Sequence, residues 1–230
     1  MEKNYSSLEK KIKVNFKNKE LLKKAFTHRS YINEHPGLKI DHNERLEFLG
    51  DAVLELVVTE HLFNKYPNPE GELTVWRAAL VNTKMLSEIA NELGFNDYLL
   101  LSKGEEQDTG RARSFILANT FEAFVGALYV DQGIERVADF INKSVLSRLP
   151  QILEEKLYLD PKSQFQEEAQ SKEGITPSYE LIEEDGPDHC KEFIVGVYLN
   201  DKLIAKGKGP SKQVAQGKAA RKALEKKGWS

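Results

Sequence analysis

Through about residue 150 the apolar positions recur three and four apart, the spacing that gathers them on one side of a helix. Breaks fall at Pro67 and Pro69, at Gly94, across 104–110 and at Gly133. The pattern predicts a helical bundle. Its strongest segment is 44–65, which has no proline and only Gly50, and a second is 116–132, with Gly133 placed to cap it. Pro150 and Pro161 bracket a short helix and a linker. Beyond Pro161 the period changes. A helical stretch over 162–172, stopped by Gly174, precedes β-rich runs at 178–182, 193–199 and 202–206, the last two joined by the turn pair Asn200-Asp201. Residues 211–227 are helical again, alanine-rich and basic. The expected fold is mainly α: an all-helical domain over 1–150, a linker over 151–160 and a small α-β-β-β-α (α+β) domain over 161–230.

With 40% hydrophobic and 30% charged residues among 230, the chain carries enough apolar material for packed cores, which excludes a disordered protein. The longest nearly unbroken apolar run, 123–130, falls far short of the ~18 residues a bilayer crossing needs, so no membrane span is expected. The N-terminus has no apolar leader core, and the single Cys190 rules out an internal disulfide framework; a reducing cytoplasm is the expected location. A net charge of −3 argues against a nucleic-acid partner until the chain is divided. Residues 160–192 carry −7, Asp201 carries −1 and 202–227 carry +8, which sum to zero and leave −3 for 1–159. The C-terminal segment is thus a basic face able to take phosphate.

At about 100° per residue, Glu44, Glu47, Asp51 and Glu55 share one stripe of the 44–65 helix, while Leu46, Leu49, Val53 and Val57 form another. An acidic stripe is most often a solvated surface, so this spacing alone proves little. The second helix alters the balance. Asn119 and Glu122 stand three apart on an otherwise apolar segment, and Gly126 continues their face, where small residues permit close helix approach. A carboxylate there needs a partner, because burying it alone is expensive. A cation can serve, and oxygen donors without Cys or paired His suit Mg²⁺ or Mn²⁺ rather than zinc. His28 and His42 are lone histidines without ligand spacing, and structural roles are expected for both.

The run ERLEFLGDAVLEL at 44–56 closely resembles the defining motif of the ribonuclease III family, endonucleases that cut double-stranded RNA with Mg²⁺. RAALVN at 77–82 and GRARSFILANTFEAFVGALYVDQG at 110–133 are similar to further blocks of that family in the same order, and from Lys162 onward the chain resembles its double-stranded-RNA-binding domain. The resemblance implies hydrolysis to 5′-phosphate and 3′-hydroxyl ends, in processing of ribosomal precursors and other structured transcripts, messenger RNA included. It matches Glu47 and Asp51 to catalytic-site acids and Glu122 to the acid that bridges metal and reaction. Carried over, Glu47, Asn119 and Glu122 are metal ligands and Asp51 and Glu122 are catalytic, with Mg²⁺ the cofactor and Mn²⁺ a substitute. Asn119 departs from the family's Asp: its amide oxygen can still ligate, but it brings no charge. Glu44 and Glu70 stand where the family has acids near the cleft, and either could equally be a helix-end charge.

Phe48 falls outside the apolar stripe of its helix, and the resemblance implies a homodimer in which this aromatic enters a pocket on the partner. A twofold pair would set one acid cluster against each strand of a duplex. For the RNA grip it implies Ser163, Gln166 and Glu167 as a first contact region, the loop Pro187, Asp188 and His189 as a second, and Lys212 at the start of the last helix, with Lys206 and Lys208 nearby, as a third. Gln213 and Gln216 stand where relatives often carry lysine. Arg77, Arg111 and Arg113 could add phosphate contacts, though surface arginines often do not. Two rivals stay open: a duplex-RNA-binding protein whose cleavage is weakened or lost through Asn119, and an unrelated metal phosphohydrolase, which leaves the C-terminal domain unexplained.

Overall fold

The computed structural model describes residues 3–37, 39–156, 158–186 and 191–229. They fall into two compact units, Met1–Tyr158 and Leu159–Ser230. In the first, α1 (Tyr5–Ile12), α2 (Lys19–Ala25), α3 (Arg29–Glu34), α4 (Glu44–Lys65), α5 (Glu70–Val81), α6 (Thr83–Leu93), α7 (Lys103–Gln107), α8 (Arg111–Gln132), α9 (Ile134–Ser144) and α10 (Leu149–Glu154) follow in order, with 3-10 turns at Phe95–Tyr98 and Leu146–Arg148.

Helix α4 is anchored at its start by Asn43, which is almost fully buried. The Asn43 side-chain amide donates to the Ala25 carbonyl at 3.1 Å and its backbone N–H donates to the Thr27 carbonyl at 2.9 Å. Glu44 and Glu47 then complement the positive end of the helix, and Tyr66, just before Pro67, ends it. One side of α4 buries Leu46, Gly50, Val53, Leu54, Val57, Val58 and Leu62. Helix α8 is buried almost continuously from Ile116 to Leu128 and forms the axis of the unit.

The two helices cross at glycines. A Cβ placed on Gly50 would lie 2.8 Å from the Gly126 nitrogen, and one on Gly126 would lie 3.0 Å from the Gly50 nitrogen; both would also strike a carbonyl of the facing helix. Only residues without a side chain allow backbones this close. Around the crossing, aromatic rings pack edge-on or tilted, Phe26 with Phe95 and Phe124 with Phe140, each at 5.0 Å between centroids. The short helix expected between Pro150 and Pro161 is α10, which buries Leu149 and Ile152 in the same core, so this unit continues past 150.

The second unit runs α11 (Pro161–Glu173), β1 (Ser178–Asp185), β2 (Glu192–Leu199), β3 (Lys202–Gly209) and α12 (Lys212–Lys227), an antiparallel sheet in the order β1-β2-β3 with two helices. The strands extend beyond the ends expected at 182 and 206, because Asp185 pairs with Glu192 and Phe193 with Gly209. Asn200, at φ 51°, supplies the left-handed residue of the β2–β3 turn, a conformation Asn tolerates better than most residues. Phe165, Ala169, Val197, Leu199, Ile204, Ala219, Ala220, Ala223 and Leu224 form its separate core. Among the described residues no helix is long and apolar enough to cross a membrane.

Candidate functional site

Because α4 and α8 meet at Gly50 and Gly126, the side chains flanking the crossing are held close together. Glu47 and Asp51 of α4 meet Asn119 and Glu122 of α8. Glu122 is half-buried, and its carboxyl is pushed up to about 8, first by burial and then by the charges of Asp51, Glu47 and Glu55. Glu47 is also raised, by burial and by Glu44 and Asp51, while the Asn119 amide donating to it acts in the opposite direction. Among the described residues, Glu47, Asp51, Glu55 and Glu122 have no ion pair with Lys, Arg or His. The site is therefore a group of carboxylates without a countercharge, and its oxygen donors fit a hard divalent cation. Among the described residues no group of three or more His, Cys, Asp or Glu side chains is placed to hold a metal ion by itself.

Of the other acids, Glu44 turns away to Arg29, 2.7 Å from its guanidinium, with His42 at 3.8 Å. Glu70 opens α5 and accepts from the Thr74 hydroxyl at 2.9 Å. Glu55 lies on the acid stripe, four residues beyond Asp51, and its charge reaches Glu122. His28 caps α3 by accepting from the Ser30 N–H, and burial lowers its pKa. Arg113 is committed to its own loop: it donates to the Asp108 and Glu105 carbonyls and to the Asn96 side chain. Arg77 donates to Thr59, and Arg111 lies over the Phe115 ring at 5.5 Å.

On the outer side of α4, Phe48 is 83% exposed and Phe63 is 77% exposed, with Leu56 between them. A cavity of about 430 Å³ lies beside Phe63, toward the C-terminal end of the helix, lined by Thr59, Leu62, Glu70, Leu73 and Arg77 among others.

In the second unit, Phe165 and Ala169 turn inward, and Ser163, Gln166 and Glu167 stand exposed on the other side of α11. The Ser163 hydroxyl donates to Asp160 at 3.0 Å, which leaves its lone pairs to accept. Lys212 starts α12 behind the Ser211 cap, its amine 5.9 Å from the centre of the Phe193 ring. Lys206 is exposed, and Lys208 pairs with Glu192 at 2.5 Å. Pro187, Asp188 and His189 lie outside the described residues.

Comparisons with known proteins agree in both units. Residues 18–149 match the family model described as Ribonuclease-III-like, and 161–227 match the double-stranded RNA binding motif. Ribonuclease 3 of Oceanobacillus iheyensis is 47% identical over 219 residues, covering 95% of this chain and 96% of that protein. Ribonuclease 3 of Enterococcus faecalis is 44% identical over 223 residues, 96% of each. The crystal structure of the nuclease domain of ribonuclease III from Campylobacter jejuni, 42% identical, superposes with a TM-score of 0.58 over 65% of this chain and 98% of its own. A second structure of that domain is described as showing flexibility in the region involved in its dimer formation. Likeness on this scale, in both units and in their order along one polypeptide, means that the chain belongs to the ribonuclease III family of endoribonucleases.

Proposed function

We propose that the protein is a cytoplasmic, Mg²⁺-dependent homodimer that hydrolyses double-stranded RNA, leaving 5′-phosphate and 3′-hydroxyl ends, and that it matures ribosomal precursors and other structured transcripts. One observation carries the metal-dependent reading: Glu122, held near Glu47 and Asp51 with no basic partner, has its carboxyl pushed up to about 8 by burial and then by the charges of the neighbouring acids. Glu47, Asn119 and Glu122 would hold the ion. When bound, Mg²⁺ supplies an activated water and offsets charge on the leaving oxygen, and it is commonly held by only one or two carboxylates with water completing its shell. Asp51, exposed beside Glu122, orients the attacking water; attack at phosphorus expels the 3′ oxygen, which takes up a proton.

Phe48 supports the dimer. A largely exposed aromatic on the outer side of α4 is the kind of apolar surface that marks an interface, and in a twofold pairing each Phe48 would enter a pocket on the partner. The exposed polar side of α11 and the start of α12 supply contacts to 2′-hydroxyls and phosphates. The test is incubation with duplex RNA in Mg²⁺, in Mn²⁺ and in EDTA, with end-group analysis of the products. Cleavage by the native chain and none by Glu122→Gln is expected; cleavage in EDTA would overturn the metal reading. The binder reading rests on the amide at 119, and it prevails if duplex RNA is bound but left uncut in both metals.

A further inference from the structure

The first turns of α12 are short of positive charge: between Lys212 and Lys218 the helix carries only neutral residues, Gln213 and Gln216 among them. A cation nevertheless stands at this point, and it comes from another helix. Lys162, at the start of α11, places its amine 2.7 Å from the Gln216 side-chain oxygen and 5.1 Å from the centre of the Tyr179 ring. Both neighbours are neutral, and among the described residues Lys162 makes no ion pair. Its charge is thus fixed in position by a hydrogen bond and a ring face and left uncancelled. Its neighbour in sequence is Ser163 of the first proposed contact region, and its hydrogen-bond partner lies one turn beyond Lys212, so it sits between the two.

We propose that Lys162 is a phosphate ligand of the duplex-RNA-binding surface, occupying by way of α11 the place that a lysine at 216 would fill. Gln216 serves as its tether. The lysine stem crosses from one helix to the other, and the amine keeps two N–H donors for phosphate oxygens. This inference rests on the duplex-RNA-binding reading of the second unit and adds a residue to it.

The test moves the charge. Binding of the full-length protein to duplex RNA is measured in EDTA as a function of salt for the native chain, Lys162→Gln, Lys162→Arg and the swap Lys162→Gln with Gln216→Lys. Lys162→Gln should bind about threefold to tenfold more weakly near physiological salt, with a log–log salt slope smaller by about one, as expected for a lost phosphate contact. Lys162→Arg should keep the native slope, and the swap should regain it. Melting curves are recorded alongside. Lys162→Gln with a lowered melting temperature and an unchanged salt slope would show that the amine is only a strut between the helices, and a swap that fails to recover the slope would equally overturn the assignment. Absence of duplex binding by the native chain would instead remove the reading on which the inference rests.

Discussion

Substitution of Glu122 by Gln should abolish cleavage and at the same time make the metal-free protein more stable. In the folded chain this carboxyl titrates at about 8, against an ordinary value of 4.5 when unfolded. Below pH 4.5 both states hold the proton and the penalty is absent. As pH rises toward 8 the unfolded chain releases the proton and the folded chain does not, so stability is lost across that window. Without screening, the loss approaches ~1.4 kcal/mol per pH unit. Glu122 keeps part of its surface in water, so screening reduces the whole effect to ~1–2 kcal/mol. In a unit of this size that corresponds to ~2–8 °C in melting temperature. Thermal unfolding of the nuclease unit in EDTA, for native and Glu122→Gln proteins at pH 5 and pH 8, reads the effect directly. The two should melt together at pH 5, and the Gln form should melt higher at pH 8. Added Mg²⁺ should reverse the order at pH 8, since only the native site gains stability by binding. A Gln form that is no more stable at pH 8, or one whose advantage is the same at both pH values, would refute the account of a carboxylate cluster lacking a countercharge.

Asn119→Asp should lower the Mg²⁺ concentration giving half-maximal cleavage, and Mn²⁺ should partly rescue the native protein, because Mn²⁺ binds such oxygen sites more tightly; titrations of activity against each metal check both, with duplex binding unchanged. Gly50→Ala should destabilise the nuclease unit by about 3 kcal/mol in urea unfolding, since the added methyl meets backbone atoms of α8 that cannot turn aside. Phe48→Ser should convert the dimer to a monomer in analytical ultracentrifugation with an unchanged circular dichroism spectrum, and a dimer that persists would place the interface elsewhere.

The helices were legible where their signals are local. Gly133 and Gly174 end α8 and α11, and the period of three and four around Leu46, Val53 and Val57 marks the buried side of α4. Pro150 looked like a boundary, yet it stands in the first turn of α10, where proline costs no hydrogen bond, and the burial of Ile152 depends on helices far away in sequence. The ends of β1 and β3 have no apolar alternation, and only pairing with β2 keeps them extended. In the site, the acids on each helix could be read from spacing. The exposure of Phe48 was legible in its angle on α4, but the Asn119 bond to Glu47 and the tether of Lys162 to Gln216 arise where separate elements meet, and no single segment encodes them. Arg113 shows the converse: a basic residue near the cleft in sequence, consumed by loop carbonyls in the fold.

At Gly50 and Gly126 main chain rests on main chain, so the gap between the two acid-bearing helices does not depend on the size or shape of any side chain. That separates two kinds of evolutionary freedom. The polar side chains around the crossing can change while the frame that aims them stays where it is. The crossing itself has no such latitude. Saturation mutagenesis scored by folding alone should return glycine and almost nothing else at 50 and 126, and a broad spectrum of polar residues at 119, so the residues most constrained around this nuclease centre are the two that contribute no chemistry to it.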